Sequence, residues 1–361
     1  MGPGRCSRAA HRRGDARVTT GFVVREADLA DRRDANRIDG LVRETEGATP
    51  FHLTGWSRAV ARGTGQRARY LIVERADGGL AGLLPLSEMR SPVFGKALVS
   101  AGFAVDGGVL GEGGVALAAA AWNMATRIGC PSVELRGGAA PEGWTIDTTS
   151  YLGFARPLAA DDEAELLAVP RKQRAELRKS LDRDLTVATG RDAAMLGEHY
   201  RVYAESVRNL GTPVFPAKLF RAVADELDSD VLTVRHAGRA EASVLSLYFG
   251  GTVYPYWGGG TAAARTLRAN DRMYFALMGH ARARGCARFD FGRSKTGTGA
   301  AAFKKNWGFV PEPRTYATRH AGAARAVNPL NPKYALMVRT WQRLPLPVAN
   351  LLGPWIARGL G

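Results

Sequence analysis

Two patterns of apolar and polar positions occur twice along the chain. Residues 49–60, TPFHLTGWSRAV, and 212–223, TPVFPAKLFRAV, align without a gap and share Thr-Pro at the start and Arg-Ala-Val at the end. Residues 68–87 and 230–250 each contain an apolar strand, a charged turn with glycine, and a second strand of alternating polarity. Each of these two segments is therefore predicted to form a β-hairpin.

A third repeated pattern follows each hairpin. Residues 121–138 and 276–294 each predict an amphipathic helix that ends at Gly-Cys and leads into a strand. Three matches in the same order indicate two similar halves. Helices that alternate with a mostly antiparallel sheet predict an α/β sandwich in each half. The boundary is predicted near residues 156–170, which are rich in Ala, Asp and Pro and lead into a basic helix at 171–183.

The charge of the chain is uneven. The net charge is +16, and no Asp or Glu follows Glu312, although seven Arg and Lys residues do. Such a distribution favours an anionic partner such as nucleic acid, phospholipid or a phosphorylated substrate. General solubility explains part of the excess, but it does not explain the absence of acids from the tail.

The ends and the cysteines indicate the compartment. Residues 1–17 lack the apolar segment of an export signal, so we expect a disordered basic segment over residues 1–20. No apolar run approaches the roughly 18 residues that a membrane span needs. The three cysteines have no metal-binding or Cys-X-X-Cys spacing, as expected of a reducing compartment. The default expectation is therefore a cytoplasmic protein.

Five long motifs carry a resemblance to a known family. They are LRKSLDRDL (177–185), SVRNLGTPVFP (206–216), YPYWGGGTAAARTLRANDRMYFALM (254–278), FDFGRSKTGTGAAAFKKNWGFVPEP (289–313) and NPLNPKYALMVRTWQRLPLPVANLLGPWIARGLG (328–361). Together they resemble the FemAB-like proteins associated with exosortase/PEP-CTERM systems and extracellular polysaccharide loci. The resemblance covers nearly all of the chain from about residue 20. It departs at Trp257, where a tyrosine is expected, and at Ala300 to Ala302, which replace a more polar stretch.

The resemblance implies a tandem arrangement of two acyltransferase units of the GNAT fold. It divides the chain into a first GNAT-like domain at 21–158, a second at 159–326 with the active site, and a basic arm at 327–361. It also implies cytoplasmic N-acyl transfer with no tightly bound cofactor. The co-substrate is then an anionic acyl donor, either acyl-CoA or aminoacyl-tRNA.

The candidate donor site is a run of three glycines. In a GNAT unit the donor pyrophosphate lies where a splayed strand turns into the next helix, and this place corresponds to residues 258–270. Gly258, Gly259 and Gly260 would let backbone N–H groups approach an anion, and Arg265 would add charge. A flexible turn followed by an ordinary arginine on a helix face explains the same residues.

The candidate catalytic carboxylate is Asp290. Strand alternation places Phe289 and Phe291 in the core and Asp290 on the opposite face, with Arg293 and Lys295 just beyond. The functional interpretation makes Asp290 a general base or amine-binding group, Lys295 a catalytic partner, and Arg293 a ligand for an anionic substrate. The structural alternative is a buried Asp–Arg pair, and the acidic Glu134 at the matching position of the first half supports it.

Other polar residues are expected to complete the site. Phe303 and Trp307 share a helix face and are predicted to pack inward, which directs Lys304 and Lys305 toward solvent or substrate. The resemblance assigns this Phe-Lys-Lys segment to the substrate side.

Two tyrosines and an asparagine are further candidates. Tyr254 and Tyr256 fall on one strand face and could line a cleft, with Tyr256 as a general acid. Packing in the core or at its rim is the more frequent role of tyrosines in such a strand. Asn270 is a candidate substrate ligand, although helix capping is an equal alternative.

The predicted reaction is direct attack of an amine on the donor. The sequence has no nucleophile elbow, no Cys–His motif and no spacing of metal ligands, so neither a covalent intermediate nor a metal is expected. The predicted acceptor is an amine-bearing sugar or a lipid-linked precursor of an extracellular polysaccharide or the cell envelope. The alternatives are an aminoacyl-tRNA-dependent peptidyl-type transferase and a non-catalytic module that binds nucleic acid or membrane. The oligomeric state is not predicted.

The C-terminal segment, residues 334–361, mixes Trp341, Trp355, leucines and arginines without acids. This composition is typical of a peripheral contact with an anionic membrane. It also suits an arm that packs on the two domains.

Overall fold

The computed structural model describes residues 22–92, 94–138, 141–322, 332–359 and 361. These residues form two mixed β-sheets flanked by helices, which confirms the predicted α/β class. The predicted disordered segment at 1–20 lies outside the described residues.

The first half contains the elements up to residue 157. In chain order they are β1 (Phe22–Glu26), α1 (Arg32–Glu44), a 3-10 turn (Pro50–His52), α2 (Thr54–Thr64), β2 (Arg67–Arg75), β3 (Leu80–Ser91), β4 (Gly95–Ser100), β5 (Leu110–Gly111), α3 (Gly114–Ile128), β6 (Ser132–Arg136), β7 (Thr145–Asp147) and β8 (Tyr151–Pro157).

The second half contains the remaining elements. They are α4 (Asp162–Ala168), α5 (Arg171–Leu181), β9 (Thr186–Gly190), α6 (Ala193–Asn209), α7 (Ala217–Glu226), β10 (Ser229–His236), β11 (Arg239–Phe249), β12 (Thr252–Gly260), α8 (Ala264–Leu267), α9 (Ala269–Ala283), β13 (Arg288–Lys295), α10 (Gly299–Asn306), β14 (Pro311–Pro313), β15 (Tyr316–His320), α11 (Pro332–Arg343) and α12 (Leu346–Ala357).

The repeated patterns form matching structures in the two halves. Both predicted hairpins are present, β2 with β3 and β10 with β11, each antiparallel. Both predicted helix–strand units are also present, α3 with β6 and α9 with β13. In each half the strand of that unit runs parallel to an earlier strand, and each parallel ladder pairs only two residues of one strand with two of the other.

The two sheets exchange strands. Their orders are β1-β2-β3-β4-β6-β15-β7, with β5 beside β3, and β14-β8-β13-β12-β11-β10-β9. Strand β8 of the first half thus pairs with β13, and β15 of the second half pairs with β6. The predicted division between residues 158 and 159 therefore does not coincide with the division between the sheets. The repeat could not show this, because the pattern within a strand does not identify its neighbour.

The first repeated segment forms the contact between the halves. Helices α2 and α7, which carry the matched Arg-Ala-Val, pack against each other, and Trp56 and Val60 share a core with Phe220 and Val223. The approach is close: a Cβ on Gly63 would lie 2.4 Å from the Cα of Leu219. The indole N–H of Trp56 donates to the carbonyl of Gly102 at 3.1 Å, which satisfies its buried polar atom.

The predicted C-terminal arm forms two helices and contacts both halves, since Gln66 of the first half donates to the Arg358 carbonyl at 2.7 Å. Helices α11 and α12 both contact α6, and Gly353 of α12 lies against Val214. Residues 327–331 of the predicted arm lie outside the described residues. Of the helices that the structure describes, none has the length and apolar character to cross a membrane.

Candidate active site

The parallel strands of the second sheet separate and leave an opening. Strands β12 and β13 pair only at Thr252 with Arg288 and at Val253 with Phe289. Beyond these pairs they diverge, and a cavity of about 160 Å³ occupies the gap. We call it the inner cavity. Thr49, Phe51, Val105 and Asp106 of the first half also line it, so both halves build it.

Asp290 lies at this opening, as strand alternation predicted. Phe289 and Phe291 are buried in the core, while the Asp290 carboxyl lines the inner cavity. The register of β13 is irregular between Asp290 and Arg293, and Gly292 there has a φ of +65°. The Asp290 Oδ1 accepts the Gly292 N–H at 2.7 Å, which fixes the carboxyl on this irregular turn of the strand.

A second carboxylate and a guanidinium meet Asp290 from elsewhere in the chain. Arg314 Nη1 donates to Asp106 Oδ2 at 3.1 Å, and Arg314 Nη2 lies 3.9 Å from Asp290 Oδ2. Burial raises the pKa of both carboxyls above the ordinary value of 3.8, while the positive charge of Arg314 opposes this shift. The charge of Asp106 raises the pKa of Asp290 further.

Lys304 reaches the same cavity from helix α10. Its Nζ donates to the carbonyls of Phe291 at 2.7 Å and of Arg293 at 3.0 Å, on either side of Gly292. Burial lowers the pKa of Lys304 to about 8, and the charge of Asp290 opposes this effect. Lys304 therefore holds the carbonyls of the irregular segment that presents Asp290.

The side chain of Arg293 lies between aromatic rings. It lines the inner cavity, donates to the hydroxyl of Tyr316, and has its guanidinium carbon 4.4 Å from the ring centre of Tyr151. Tyr151 is on β8 and Tyr316 is on β15, so both exchanged strands position this arginine.

Aromatic side chains form another wall of the inner cavity. Tyr254 and Tyr256 both contact Phe51, with ring centres 6.3 and 5.0 Å away, which confirms that they share a face. The Tyr256 hydroxyl donates to the carbonyl of Phe103, so the proton of this predicted general acid is already engaged. Burial raises the pKa of both tyrosines above 10.0.

A second, more open cavity lies beside the inner one, and we call it the outer cavity. Gly259, Gly260 and Arg265 line it, which brings together three of the four residues predicted to bind the donor phosphates. Asn270, predicted to be a substrate ligand, lines the same outer cavity. Gly258 lines the inner cavity instead. Tyr274 of α9 borders both cavities, and burial raises its pKa to about 12.

The three glycines differ in one respect from the predicted turn, because they are the last residues of β12. Helix α6 requires the small size of Gly259, because a Cβ there would lie 2.4 Å from Ser206 Oγ. The turn that follows uses two of its N–H groups internally, since Thr261 donates to the Glu241 carbonyl and Ala262 donates to Glu205 Oε1.

Two predicted lysines lie outside both cavities. Lys295, at the end of β13, and Lys305, on α10, are exposed. Phe303 and Trp307 pack together with ring centres 6.1 Å apart, as predicted. Helix geometry turns Lys304 inward and Lys305 outward.

The sequence reading missed Asp106, Arg314 and Tyr274 as site residues. Asp106 follows β4 in the first half, and no local motif connects it to Asp290 across the intervening chain. Arg314 is one of the seven basic residues that follow Glu312, and nothing in the sequence pattern distinguishes it from the others. Tyr274 occupies a helix position typical of core packing.

Comparisons with known proteins agree with this geometry. Residues 169–305 match the family model described as an acetyltransferase (GNAT) domain. A search of curated protein sequences found no match.

Solved structures with the same fold have low sequence identity. FemX is 15% identical with a TM-score of 0.62, covering 84% of this chain and 98% of FemX. The C-terminal domain of a putative lysylphosphatidylglycerol synthetase from Agrobacterium fabrum is 14% identical with a TM-score of 0.55, covering 87% and 97%. A tandem GNAT protein from the clavulanic acid biosynthesis pathway is 13% identical with a TM-score of 0.53, covering 84% and 99%.

These matches confirm the predicted tandem GNAT-like fold. The domain match lies in the half that contains Asp290, Lys304 and the diverging strands. Residues 169–305 therefore form a GNAT acetyltransferase domain, which supports an N-acyltransferase activity.

Proposed function

We propose that the protein transfers an acyl group from acyl-CoA to an amine by direct attack at the opening between β12 and β13. Two features meet at this opening and support the proposal. An unpaired strand edge borders the gap on one side, and the buried carboxyls of Asp106 and Asp290 border it on the other.

The strand edge suits the acyl donor. Thr261 donates its N–H to Glu241 on β11, so alternation along β12 directs Gly259 toward β11 as well. Gly258 and Gly260 then direct their N–H groups toward the gap. Ser206 Oγ accepts the N–H of Gly260 at 3.3 Å, and the N–H of Gly258 is assigned to the donor carbonyl. A backbone donor in this place would stabilise the oxyanion of the tetrahedral intermediate.

The donor phosphates are assigned to the outer cavity. Arg265 is exposed there, whereas the nearby Arg268 is occupied by an ion pair of 2.6 Å with Glu176. Gly259, Gly260 and Asn270 contribute the adjoining surface. A narrow arm of the donor would then pass Tyr274 to reach Gly258.

The carboxyl pair suits the amine. An acceptor arrives mostly as an ammonium ion, and a buried carboxylate beside aromatic rings attracts a cation. The ammonium first loses one proton to solvent, which frees the lone pair of the nitrogen. Asp290 then takes the second proton, which the nitrogen loses as it bonds to the acyl carbon and the carbon–sulfur bond breaks. The raised pKa of Asp290 makes it a better proton acceptor than an ordinary aspartate.

The leaving thiolate needs a proton donor. Tyr256 is the candidate predicted from the sequence, but its hydroxyl donates a hydrogen bond to the Phe103 carbonyl. Tyr274 borders both cavities, and its hydroxyl lies 3.2 Å from where a Cβ on Gly258 would be. We therefore assign the general acid to Tyr274 in preference to Tyr256.

The remaining cations indicate an acceptor that also carries negative charge. Arg293 lines the inner cavity and is fixed between Tyr151 and Tyr316. Its guanidinium is assigned to a phosphate or carboxylate of the acceptor. With the resemblance to FemAB-like proteins of exosortase/PEP-CTERM systems, this supports a cytoplasmic reaction on an amine-bearing sugar or lipid-linked precursor of an extracellular polysaccharide or the cell envelope. Lys305 is assigned to the outer part of that acceptor.

Aminoacyl-tRNA is the second candidate donor, and two observations favour it. FemX and a putative lysylphosphatidylglycerol synthetase share the fold. The basic helix α5 also lies beside α9, with Gln173 Nε2 bonded to Asp271 at 2.6 Å. Its cations would extend the outer cavity along a polyanion, namely Arg171, Lys172, Arg174, Arg178 and Lys179.

Binding across a range of salt concentrations distinguishes the donors. The full chain is titrated with acetyl-CoA, with a long-chain acyl-CoA and with charged tRNA at rising salt. Acyl-CoA binding with a weak salt dependence supports the proposal, whereas tRNA binding with a steep dependence supports the second candidate. Release of free thiol on addition of amine sugars reports turnover. Failure of both donors to bind overturns the enzymatic proposal and leaves a non-catalytic binding module.

A further inference from the structure

The C-terminal helix α12 presents its large apolar side chains to solvent. Val348, Leu351, Leu352 and Trp355 are exposed, with 77% of Leu351 and 50% of Trp355 accessible. Their spacing of three and four residues places them on one stripe of the helix.

The fully buried residues of α12 are all small. Ala349, Gly353 and Ala357 are buried, and a Cβ on Gly353 would lie 3.0 Å from the backbone nitrogen of Val214. The helix therefore packs on the protein through its small residues and directs its leucines and tryptophan outward. This arrangement leaves apolar surface for an external partner.

The apolar surface continues on neighbouring elements. Leu336, Met337 and Val338 of α11 are exposed. Phe94, in the turn between β3 and β4, is also exposed, and its Cδ2 lies 3.4 Å from where a Cβ on Gly359 would be. The patch thus spans both helices and reaches the first half.

The charges around this patch are positive. Arg339 and Arg343 of α11 and Lys96 of β4 are exposed. No acidic residue follows Glu312 in the sequence. A flat apolar stripe containing tryptophan and bordered by arginines complements the interface of an anionic bilayer, where apolar residues enter the acyl boundary and cations meet the phosphates.

We propose that helices α11 and α12 form a docking surface for an anionic phospholipid membrane, with α12 lying along the interface. Attachment is peripheral, consistent with the absence of a spanning helix from the described residues. This inference goes beyond the acyl transfer proposed above and does not depend on it.

The surface lies next to the outer cavity. Gln342 of α11 donates to the carbonyl of Asn209 at 3.2 Å, and Arg208 donates to the Gln342 carbonyl at 3.1 Å. Asn209 and the exposed Leu210 line the outer cavity. Docking through α12 therefore brings the mouth of that cavity to the lipid surface.

Co-sedimentation with vesicles tests the proposal. The full chain is mixed with vesicles of phosphatidylcholine alone and with vesicles containing 30 mol% phosphatidylglycerol, a fraction of about one third chosen to resemble an anionic membrane. We expect binding to the anionic vesicles, and at least tenfold weaker binding for a Leu351→Gln/Leu352→Gln variant. The matched control is Leu167→Gln, an exposed leucine on α4, which should bind as the unmodified chain does.

A charge variant and a size measurement complete the test. Arg339→Gln/Arg343→Gln should weaken anionic binding several-fold and reduce its salt dependence. Unchanged thermal melting shows that each variant is folded. Absence of vesicle binding, or equal loss in Leu167→Gln, overturns the proposal. A dimer that Leu351→Gln/Leu352→Gln dissociates, without vesicle binding, assigns the surface to a second copy of the chain instead.

Discussion

Arg314 donates to the carboxylate of Asp106 at 3.1 Å, although 208 positions separate the two residues in the sequence. The same guanidinium also reaches toward Asp290. One cation therefore lies beside two half-buried carboxyls that come from different halves of the chain. The pKa of Asp290, the candidate base, therefore depends on Arg314, a residue that no local motif identifies.

Asp290→Asn should reduce activity and increase stability at neutral pH. Loss of the base is expected to lower kcat/KM by about 10²–10⁴-fold. The folded pKa of Asp290 is raised, so the folded state binds more protons than the unfolded state above pH 3.8, and stability falls as pH rises through that window. Asparagine keeps an acceptor for the Gly292 N–H and removes the free-energy cost of ionising a carboxyl in this desolvated place.

The check combines initial rates with denaturant unfolding at pH 7 and pH 5. The stability gain of Asp290→Asn should shrink as the pH falls. Lys295→Met is the comparison, because Lys295 is exposed beyond the inner cavity and its substitution should change kcat/KM less than about threefold. An equal loss in both variants would return Lys295 to the catalytic role predicted from the sequence.

Gly153→Ala should act on catalysis through Arg314. A Cβ on Gly153 would lie 2.2 Å from Arg314 Nε, so the flexible guanidinium must move away from Asp106 and Asp290. Because Arg314 lowers the pKa of both carboxyls, its displacement raises them and moves the acidic limb of the pH–rate profile to higher pH. Misplacement of this kind can cost about 10²-fold in rate.

A pH–rate profile of Gly153→Ala beside Gly40→Ala measures this effect. Gly40 is a helical glycine with no atom within 4 Å of an added Cβ, so its profile should not move. If the acidic limb of the Gly153→Ala profile stays at the same pH while the rate falls, Arg314 does not determine the pKa of Asp290.

Gly259→Ala should impair donor binding through a steric conflict with α6. The added Cβ would lie 2.5 Å from the Cβ of Ser206, so strand and helix must separate. Overpacking of this kind costs about 1–3 kcal/mol. The double variant Gly259→Ala/Ser206→Gly removes the conflict and should recover part of the loss, apart from the roughly 1 kcal/mol cost of glycine within a helix.

The free energy of unfolding and the KM for the donor are measured for the single and the double variant. On the same helix, Gly197 is exposed and has no atom within 4 Å of an added Cβ. Gly197→Ala should therefore stabilise the protein by about 0.5–1 kcal/mol. Equal destabilisation of the single and double variants would contradict the steric explanation.

Two buried histidines predict sensitivity to acid. Burial lowers the pKa of His52 to about 4 and that of His199 to about 3, from an ordinary value of 6.5. The unfolded state therefore binds more protons below pH 6.5, and stability falls as the pH drops toward 4. Each histidine contributes a slope of up to about 1.4 kcal/mol per pH unit in that window.

Denaturant unfolding from pH 7.5 to pH 4.5 reports this slope. His199→Gln should reduce it, whereas His320→Gln, at the exposed end of β15, changes no buried ring and serves as the control. A slope that survives His199→Gln unchanged would show that the imidazole is not the source.

The parts of the fold that repeat were predictable from the sequence. The hairpins and the helix–strand units follow from local periodicity, and alternation placed Asp290 on the cavity face of β13. Asp106 and Arg314 were not predictable as site residues, because one lies in a loop of the first half and the other beside an exchanged strand. The position of Lys304 also depended on tertiary packing, since α10 turns its amine onto the carbonyls of β13.

The exchanged strands determine when each sheet can be completed. Strand β6 ends at Arg136, and its partner β15 begins only at Tyr316. During synthesis, the edge of β6 that pairs with β15 therefore stays unpaired until almost all of the second sheet has left the ribosome. A chain cut at the boundary between the repeats would yield two fragments, each carrying a strand that the other requires. We therefore expect the two halves to unfold as one cooperative unit, although the sequence consists of two similar repeats.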